Sequence, residues 1–290
     1  MQANNNKISG ARQSVVTGTG GLPKVSLAAP DGAQAEVYLH GAHVTSWRPP
    51  GGVERLFLSS AAEFRAGAAL RGGVPVIFPQ FSSLGPLPKH GFARTTPWEW
   101  VDLDSGAAST TARFCLRDSD ATRRLWPYAF LAELAVTIGG PRLEMALSVT
   151  NTGEQPLSFT AGLHTYLRVA DIRTVTVADL AGVRYFDQVR GEEQVQSGPA
   201  VAFRGEVDRG YFHAPDRLEV RELGRTTRVE KDGFADWVIW NPWAERGAAL
   251  ADLEPEGYLR MVCVEAAAVG ALISLEPSAR WRGVQRVWAE

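Results

Sequence analysis

The chain has 290 residues, 45% of them hydrophobic and 21% charged, an ordinary globular balance with enough length for a sizeable core. Its formal net charge is −2 and it holds no dense Lys/Arg run, which excludes a protein drawn to polyanions by long-range charge. Its two cysteines, Cys115 and Cys263, match no zinc or redox spacing and are expected to be buried, reduced thiols.

The chain opens on MQANNNKISGARQSVVTGTGG, which is polar and lacks the apolar stretch of a signal peptide. Residues 1–22 are therefore expected as a flexible tail, and residues 23–290 as a single domain of a soluble, cytoplasmic protein. No run reaches the roughly 20 apolar residues that a membrane helix needs, so no membrane partner is expected.

From residue 24 onward, strand signals dominate. Runs rich in Val, Leu, Phe and Trp recur at 24–29, 35–41, 43–49, 110–118, 130–140, 142–153, 157–169, 174–180, 235–242, 259–267 and 269–277. Turn clusters such as PDGA (30–33), NTGEQP (151–156) and EPEG (254–257) separate them. One short helix is expected in the first half, within SSAAEFRAGAAL (59–70). There is no βαβ rhythm, no Walker loop and no GxGxxG, so the fold class is all-β, a large antiparallel sandwich or barrel.

Three stretches carry chemistry. The first, RGGVPVIFPQFSSLGPLPKHGFAR (71–94), is neither an ordinary strand nor a helix. Gly72 and Gly73 permit unusual backbone angles, while Pro75, Pro79, Pro86 and Pro88 restrict the loop in advance. It presents Arg71 and Arg94, fork-shaped donors suited to carboxylate or phosphate, with Lys89 and His90 beside them. Two surface arginines paired with acidic neighbours are the plainer reading.

In the second, LSFTAGLHTYLRV (157–169), alternation puts His164 on one face with Thr160, Gly162, Tyr166 and Arg168, opposite an apolar row. Gly162 signals close approach by a ligand or another segment. In the third, LRMVCVEAA (259–267), the strand is apolar on both faces and Glu265 is expected at its end. Burial there raises a carboxylate's pKa toward the range of a general base. Asp252 and Glu276 compete for that role from less apolar surroundings. His40 and His43 read as a strand-turn pair near the surface, and the five histidines show no compact metal-ligand spacing.

Taken in order, RGGVPVIFPQF, PKHGFAR, GLHTYLRV, WVIWNPW and MVCVEAA resemble the hexose-6-phosphate mutarotases, or glucose-6-phosphate 1-epimerases, of the galactose mutarotase-like superfamily. The resemblance runs from about Val25 to Glu276. It implies a single β-supersandwich that interconverts the anomers of a phosphorylated hexose, its small-molecule partner, without a cofactor; a monomer that needs no metal is expected. It implies that His164 and Glu265 are catalytic and that Arg71, Arg94 and Asp208 bind substrate, with Lys89 and His90 alongside. The sequence departs from the pattern at Lys89, where the family often has Gln, and at Ala266 and Ala267, where Pro-Gly is common and where the loop beyond the base is expected to differ.

Anomer exchange needs a proton taken from the O1 hydroxyl and one given to ring O5. Glu265 is the expected base and His164 the expected acid, starting protonated with a carboxylate raising its pKa. Two other classes compete. A glycoside hydrolase would pair two carboxylates, Asp208 and Glu265. A non-catalytic carbohydrate-binding sandwich would use exposed aromatics, which the nine tryptophans bring into view.

Overall fold

The computed structural model describes residues 15–290. The strands of the first half are β1 (Val15–Thr17), β2 (Pro23–Ala28), β3 (Gln34–Tyr38), β4 (His43–Arg48), β5 (Val76–Ile77), β6 (Glu99–Ser105), β7 (Thr110–Arg117), β8 (Phe130–Gly139) and β9 (Arg142–Asn151). The central part holds β10 (Leu157–Leu163), β11 (Tyr166–Arg168), β12 (Thr176–Ala178), β13 (Arg184–Asp187), β14 (Glu192–Val195), β15 (Ala200–Ala202) and β16 (Val207–Tyr211). The last are β17 (Arg217–Glu222), β18 (Arg225–Asp232), β19 (Asp236–Asn241), β20 (Met261–Leu275) and β21 (Arg280–Ala289), with two short helices, α1 (Asp120–Leu125) and α2 (Trp243–Ala248).

All the pairings between these strands are antiparallel, and the all-β expectation holds. Three sheets form: β1-β2-β3-β4; β14-β13-β16-β19-β20-β10-β5 with β11 also on β20; and β15-β12-β17-β18-β21-β9-β8-β7-β6. The second and third sheets face each other across the main core. Phe159 of β10 meets Trp281 of β21 edge-on at 5.7 Å, and the buried Gln285 of β21 bonds to both β20 and the segment before β11.

Alternation along β20 organises the molecule. Val262, Val264, Ala266 and Ala268 enter the main core, while Met261, Cys263 and Ala267 point to the other face of the sheet. On that outer face two small apolar clusters lie apart: Phe57, Tyr166, Trp240, Leu253, Met261 and Cys263 in one, and Ile77, Phe81, Val238 and Ala267 in the other. Glu265 stands between them in sequence register.

Several expectations need correcting. No helix forms over 59–70: Ser59 Oγ instead bonds to the Glu254 carboxylate at 2.5 Å, and its N–H to the Arg71 carbonyl. The first-half helix is α1, capped by Ser119, whose side chain and Thr122 form a reciprocal box. The runs 259–267 and 269–277 join into one strand, β20, so Glu265 is mid-strand and no loop follows it at Ala266 and Ala267. Within the expected tail, Val15–Thr17 forms a strand that pairs with β2; residues 1–14 lie outside the described residues.

Candidate active site

A cavity of about 740 Å³ opens on the outer face of the second sheet. Arg71, Lys89, His90, Arg94, His164, Asp208 and Glu265 all line it, although the sequence separates the first from the last by nearly 200 positions. Two of the outer residues follow from register: Gly210 pairs with Val238, and Val238 pairs with Glu265, so the floor runs across β16, β19 and β20.

His164 interrupts its strand. β10 ends at Leu163, the Thr165 N–H turns back to the Leu163 carbonyl, and pairing resumes at Tyr166. The turn brings His164 Nδ1 to 3.3 Å from Glu265 Oε1, both side chains almost fully buried. His164 and Tyr166 do share a face, and their rings stack at 4.8 Å and 10°. Arg168 lies outside this cavity; it is exposed, with its Nε donating to the Leu56 carbonyl and its guanidinium over Phe57 of the same outer-face cluster as Tyr166. Close approach at Gly162 comes from a chain segment: the Phe81 ring lies where a Cβ would stand.

Glu265 shifts in the direction expected of a buried carboxylate, whereas His164 shifts against the raised value expected for it. Burial, then His90, Arg94 and Arg71, push His164 well below the ordinary imidazole value. Burial and Asp208 push Glu265 well above the ordinary carboxylate range. Removing charge from water costs more here than one nearby partner returns, so burial favours the neutral form of each group, with the proton on Glu265.

The segment 71–94 folds back on itself to deliver its cations. Gly73 has φ of +60°, and a Cβ there would lie 2.2 Å from the Val44 carbonyl oxygen and 2.8 Å from the His43 ring. His43 Nε2 donates to the Gly72 carbonyl at 2.7 Å and His40 Nε2 to the Ala68 carbonyl at 2.6 Å. Both histidines are buried supports behind the arginine loop, not a surface pair. His90 is buried too, and its Nδ1 accepts from the Ser82 N–H at 3.2 Å, which assigns the proton to Nε2. Burial and three cations, Arg94 foremost, push its pKa down to about 2 and keep it a neutral donor.

Arg71 is held on several sides. Its Nε donates to Asp252 Oδ1 at 3.1 Å, its Nη1 to the Tyr166 hydroxyl at 2.9 Å, and its Cζ lies 5.9 Å from the Trp240 ring. Arg94 has no such carboxylate: Nη2 donates to the Lys89 carbonyl at 2.9 Å, and its buried Nε finds no partner among the described residues. Asp208 faces Lys89 and Arg246, yet burial dominates and raises it to about 6. Asp252 thus serves Arg71, and Glu276 is exposed away from the cavity; neither replaces Glu265.

His164, Cys263 and Glu265 offer ligand atoms within 4.8 Å of one another. The donor set suits a metal poorly. Burial raises the Cys263 thiol well above its ordinary value, and Arg71, Arg94 and Lys89 set positive charge around the group. Among the described residues no helix is long and apolar enough to cross a membrane.

Comparison with known proteins agrees with this geometry. The aldose 1-epimerase family profile matches residues 23–288, nearly all of the described chain. The chain belongs to the aldose 1-epimerase family. A Cenchrus ciliaris protein named "Putative glucose-6-phosphate 1-epimerase" is 38% identical over 276 residues, 91% of this chain and 83% of its own length. An Escherichia coli protein of the same name is 36% identical over 241 residues, covering 81% and 79%. The crystal structure of a mutarotase described as putative, from Salmonella typhimurium, superposes with a TM-score of 0.86 at 31% identity, covering 92% of this chain and 90% of that one. The fold is the galactose mutarotase-like sandwich expected from the motifs.

In this aldose 1-epimerase, alternation already put Tyr166 beside His164, and Asp252 entered the sequence reading as a rival base; its contact with Arg71 across 181 positions did not. Trp240 stood only as a motif letter, and Arg246, which enters from α2, escaped it. No local pattern announces contacts of that separation.

Proposed function

We propose that the protein interconverts the α and β anomers of a hexose 6-phosphate, with glucose 6-phosphate the first candidate. The observation that carries the reading is the pair of arginines, Arg71 and Arg94, presented into the same cavity as the contact between His164 and Glu265. Arg94, half-buried and with a buried Nε that has no acceptor among the described residues, suits an oxyanion. The names of the plant and bacterial relatives support the same substrate.

In this reading the phosphate binds at Arg71 and Arg94, and Lys89, His90 and Asp208 orient the sugar. Glu265 takes the O1 proton while His164 gives one to O5; rotation about C1–C2 and the reverse transfers close the other anomer. The aldehyde between them is neutral, so proton transfer suffices. With every proposed group on one chain, a monomer is competent. Two buried free thiols fit a reducing compartment such as the cytoplasm.

The competing classes are less well supported. The titratable partner within 3.3 Å of Glu265 is an imidazole and not a second carboxylate. None of the nine tryptophans is exposed, against the flat aromatic platform of a binding module. The test is anomer exchange followed by NMR on glucose 6-phosphate and on glucose. Exchange of the phosphorylated sugar should be much the faster. Arg94→Ala and Arg71→Ala should lower kcat/KM for it by about 30–1000-fold, the loss of a hydrogen bond to a charged group or somewhat more. Equal losses on both sugars would move the arginines from phosphate binding to fold or ring binding.

A further inference from the structure

Tyr166 joins the two halves of the site. Its ring stacks on His164, and its hydroxyl accepts from Arg71. Trp240 closes the block, edge-on to His164 and to Tyr166 at 6.0 Å each, with the Arg71 guanidinium 5.9 Å from its ring centre. Asp252 completes it: Arg71 Nε donates to Oδ1, and Nη2 lies 3.1 Å from the same oxygen. A guanidinium has five N–H donors. Two face Asp252 and one serves Tyr166, which leaves two for an incoming oxyanion. The imidazole and the free donors are thus parts of one packed unit.

We propose that this unit couples the phosphate subsite to the acid–base pair, so that an oxyanion held by Arg71 and Arg94 activates ring opening as well as anchoring the substrate, with Tyr166 as the positioning residue. The inference rests on the hexose 6-phosphate reading.

The charges around His164 give the coupling its sign. Glu265 and Cys263 stand beside it from β20, Tyr166 stacks on it from β11, and the His90 ring lies at 5.5 Å. Arg94 and Arg71 act on it by charge, Lys89 and Asp208 line the same cavity, and Asp252 binds Arg71. Arg94 and Arg71 both disfavour an imidazolium. A phosphate monoester carries about −1.5 to −2 charges at neutral pH, and against those guanidinia it cancels their effect on the ring. The proton held by Glu265 can then pass to His164. That leaves a carboxylate to take the O1 proton and an imidazolium to protonate O5. After ring opening Glu265 carries the O1 proton and His164 is neutral, so the pair again holds one proton and no net charge has moved.

The experiment divides the substrate in two. D-xylose, an aldopentose without C6, supplies the ring; phosphite dianion supplies the oxyanion. Anomer exchange is followed by NMR with the enzyme-free rate at each phosphite concentration subtracted. Phosphite should raise kcat/KM for xylose saturably by about tenfold or more, the scale of one hydrogen bond to a charged group. Arg94→Ala should abolish that activation. Tyr166→Phe keeps the stacked ring and loses the hydroxyl. It should shrink the activation factor and lower kcat for glucose 6-phosphate more than it raises KM. Phosphite that inhibits xylose exchange, or leaves it unchanged, while glucose 6-phosphate stays the preferred sugar would overturn the coupling and leave the arginines as anchors. Loss of the preference for glucose 6-phosphate over glucose would instead sink the underlying functional reading.

Discussion

At the scale of single residues, burial governs the chemistry. His164 and Glu265 are placed almost entirely out of water, and this favours the neutral form of each. Removing either carrier at near-constant shape should therefore leave a folded, slow enzyme. His164→Asn and Glu265→Gln are each expected to lose about 10²–10⁴-fold in kcat, the usual contribution of a general acid or base. Near-normal exchange by one variant, above the spontaneous rate, would remove that residue from the mechanism. Asp208 shows a cost of the same burial. Its carboxyl is raised to about 6 from 3.8, so the folded state holds its proton where the unfolded chain has released it. Stability from this group therefore falls as pH rises from about 4 to about 6 and stays low above. Asp208→Asn should stabilise the ligand-free protein by about 1–3 kcal/mol at pH 7.5 and not at pH 4, while weakening sugar binding. Urea denaturation at the two pH values decides; an equal gain at both would show that the carboxylate is not the cause.

At the scale of elements, the site depends on how two strands of one sheet are braced by a third from the other. Thr165 and Val264 are the immediate neighbours of His164 and Glu265. Gln285 of β21 holds both, accepting from Thr165 Oγ1 at 2.5 Å and donating to the Val264 carbonyl at 2.8 Å. Gln285→Leu fills similar volume but leaves buried polar groups unpaired, at about 1–3 kcal/mol. A drop in Tm of about 3–10 °C should follow. Because the brace sets the relative position of acid and base, kcat should fall more than KM rises; a change in Tm alone would make Gln285 a purely structural residue. The opposite wall is set in the same way. Asp236 Oδ2 accepts from the N–H groups of Val269 and Gly270 at 2.8 Å each, and Oδ1 from that of His213 at 3.1 Å, fixing three residues of the cavity rim.

For the whole molecule, a nearly neutral chain builds one locally cationic pocket. The net charge is −2, yet Arg71, Lys89, Arg94 and Arg246 converge on the cavity. Attraction for an anionic substrate is thus local. A ligand that binds only the folded state stabilises it by about 2.7 kcal/mol at one hundred times its Kd. Glucose 6-phosphate at that level should raise Tm by about 5–10 °C, and glucose at the same concentration should leave it nearly unchanged. The shift should shrink with added salt, as expected for a partly exposed ion pair. A salt-independent shift given equally by both sugars would contradict the anionic subsite.

Much of this is legible in the sequence. Period-two alternation and turn clusters are local, and they mark the strands, the all-β class and the shared face of His164 and Tyr166. Motif order points to the family and to the seven candidate residues, all of which line the cavity. What escaped had non-local causes. A stretch such as 59–70 has reasonable helix formers, but Glu254 and the Arg71 backbone take its hydrogen bonds from far along the chain, and tertiary partners outweigh weak local propensity. His40 and His43 look like surface residues until the loop they support folds over them. The rise at Glu265 follows the expected burial, whereas His164 is pushed down and not up, because a neighbour's charge can be read from sequence as a possibility but the desolvation that overrides it exists only once the sheets close. The sequence by itself determined which chemical groups this protein possesses and on which strand faces they stand. The tertiary structure decided which groups meet and how far each is removed from water, because contacts across 181 positions and the loss of solvent are products of packing.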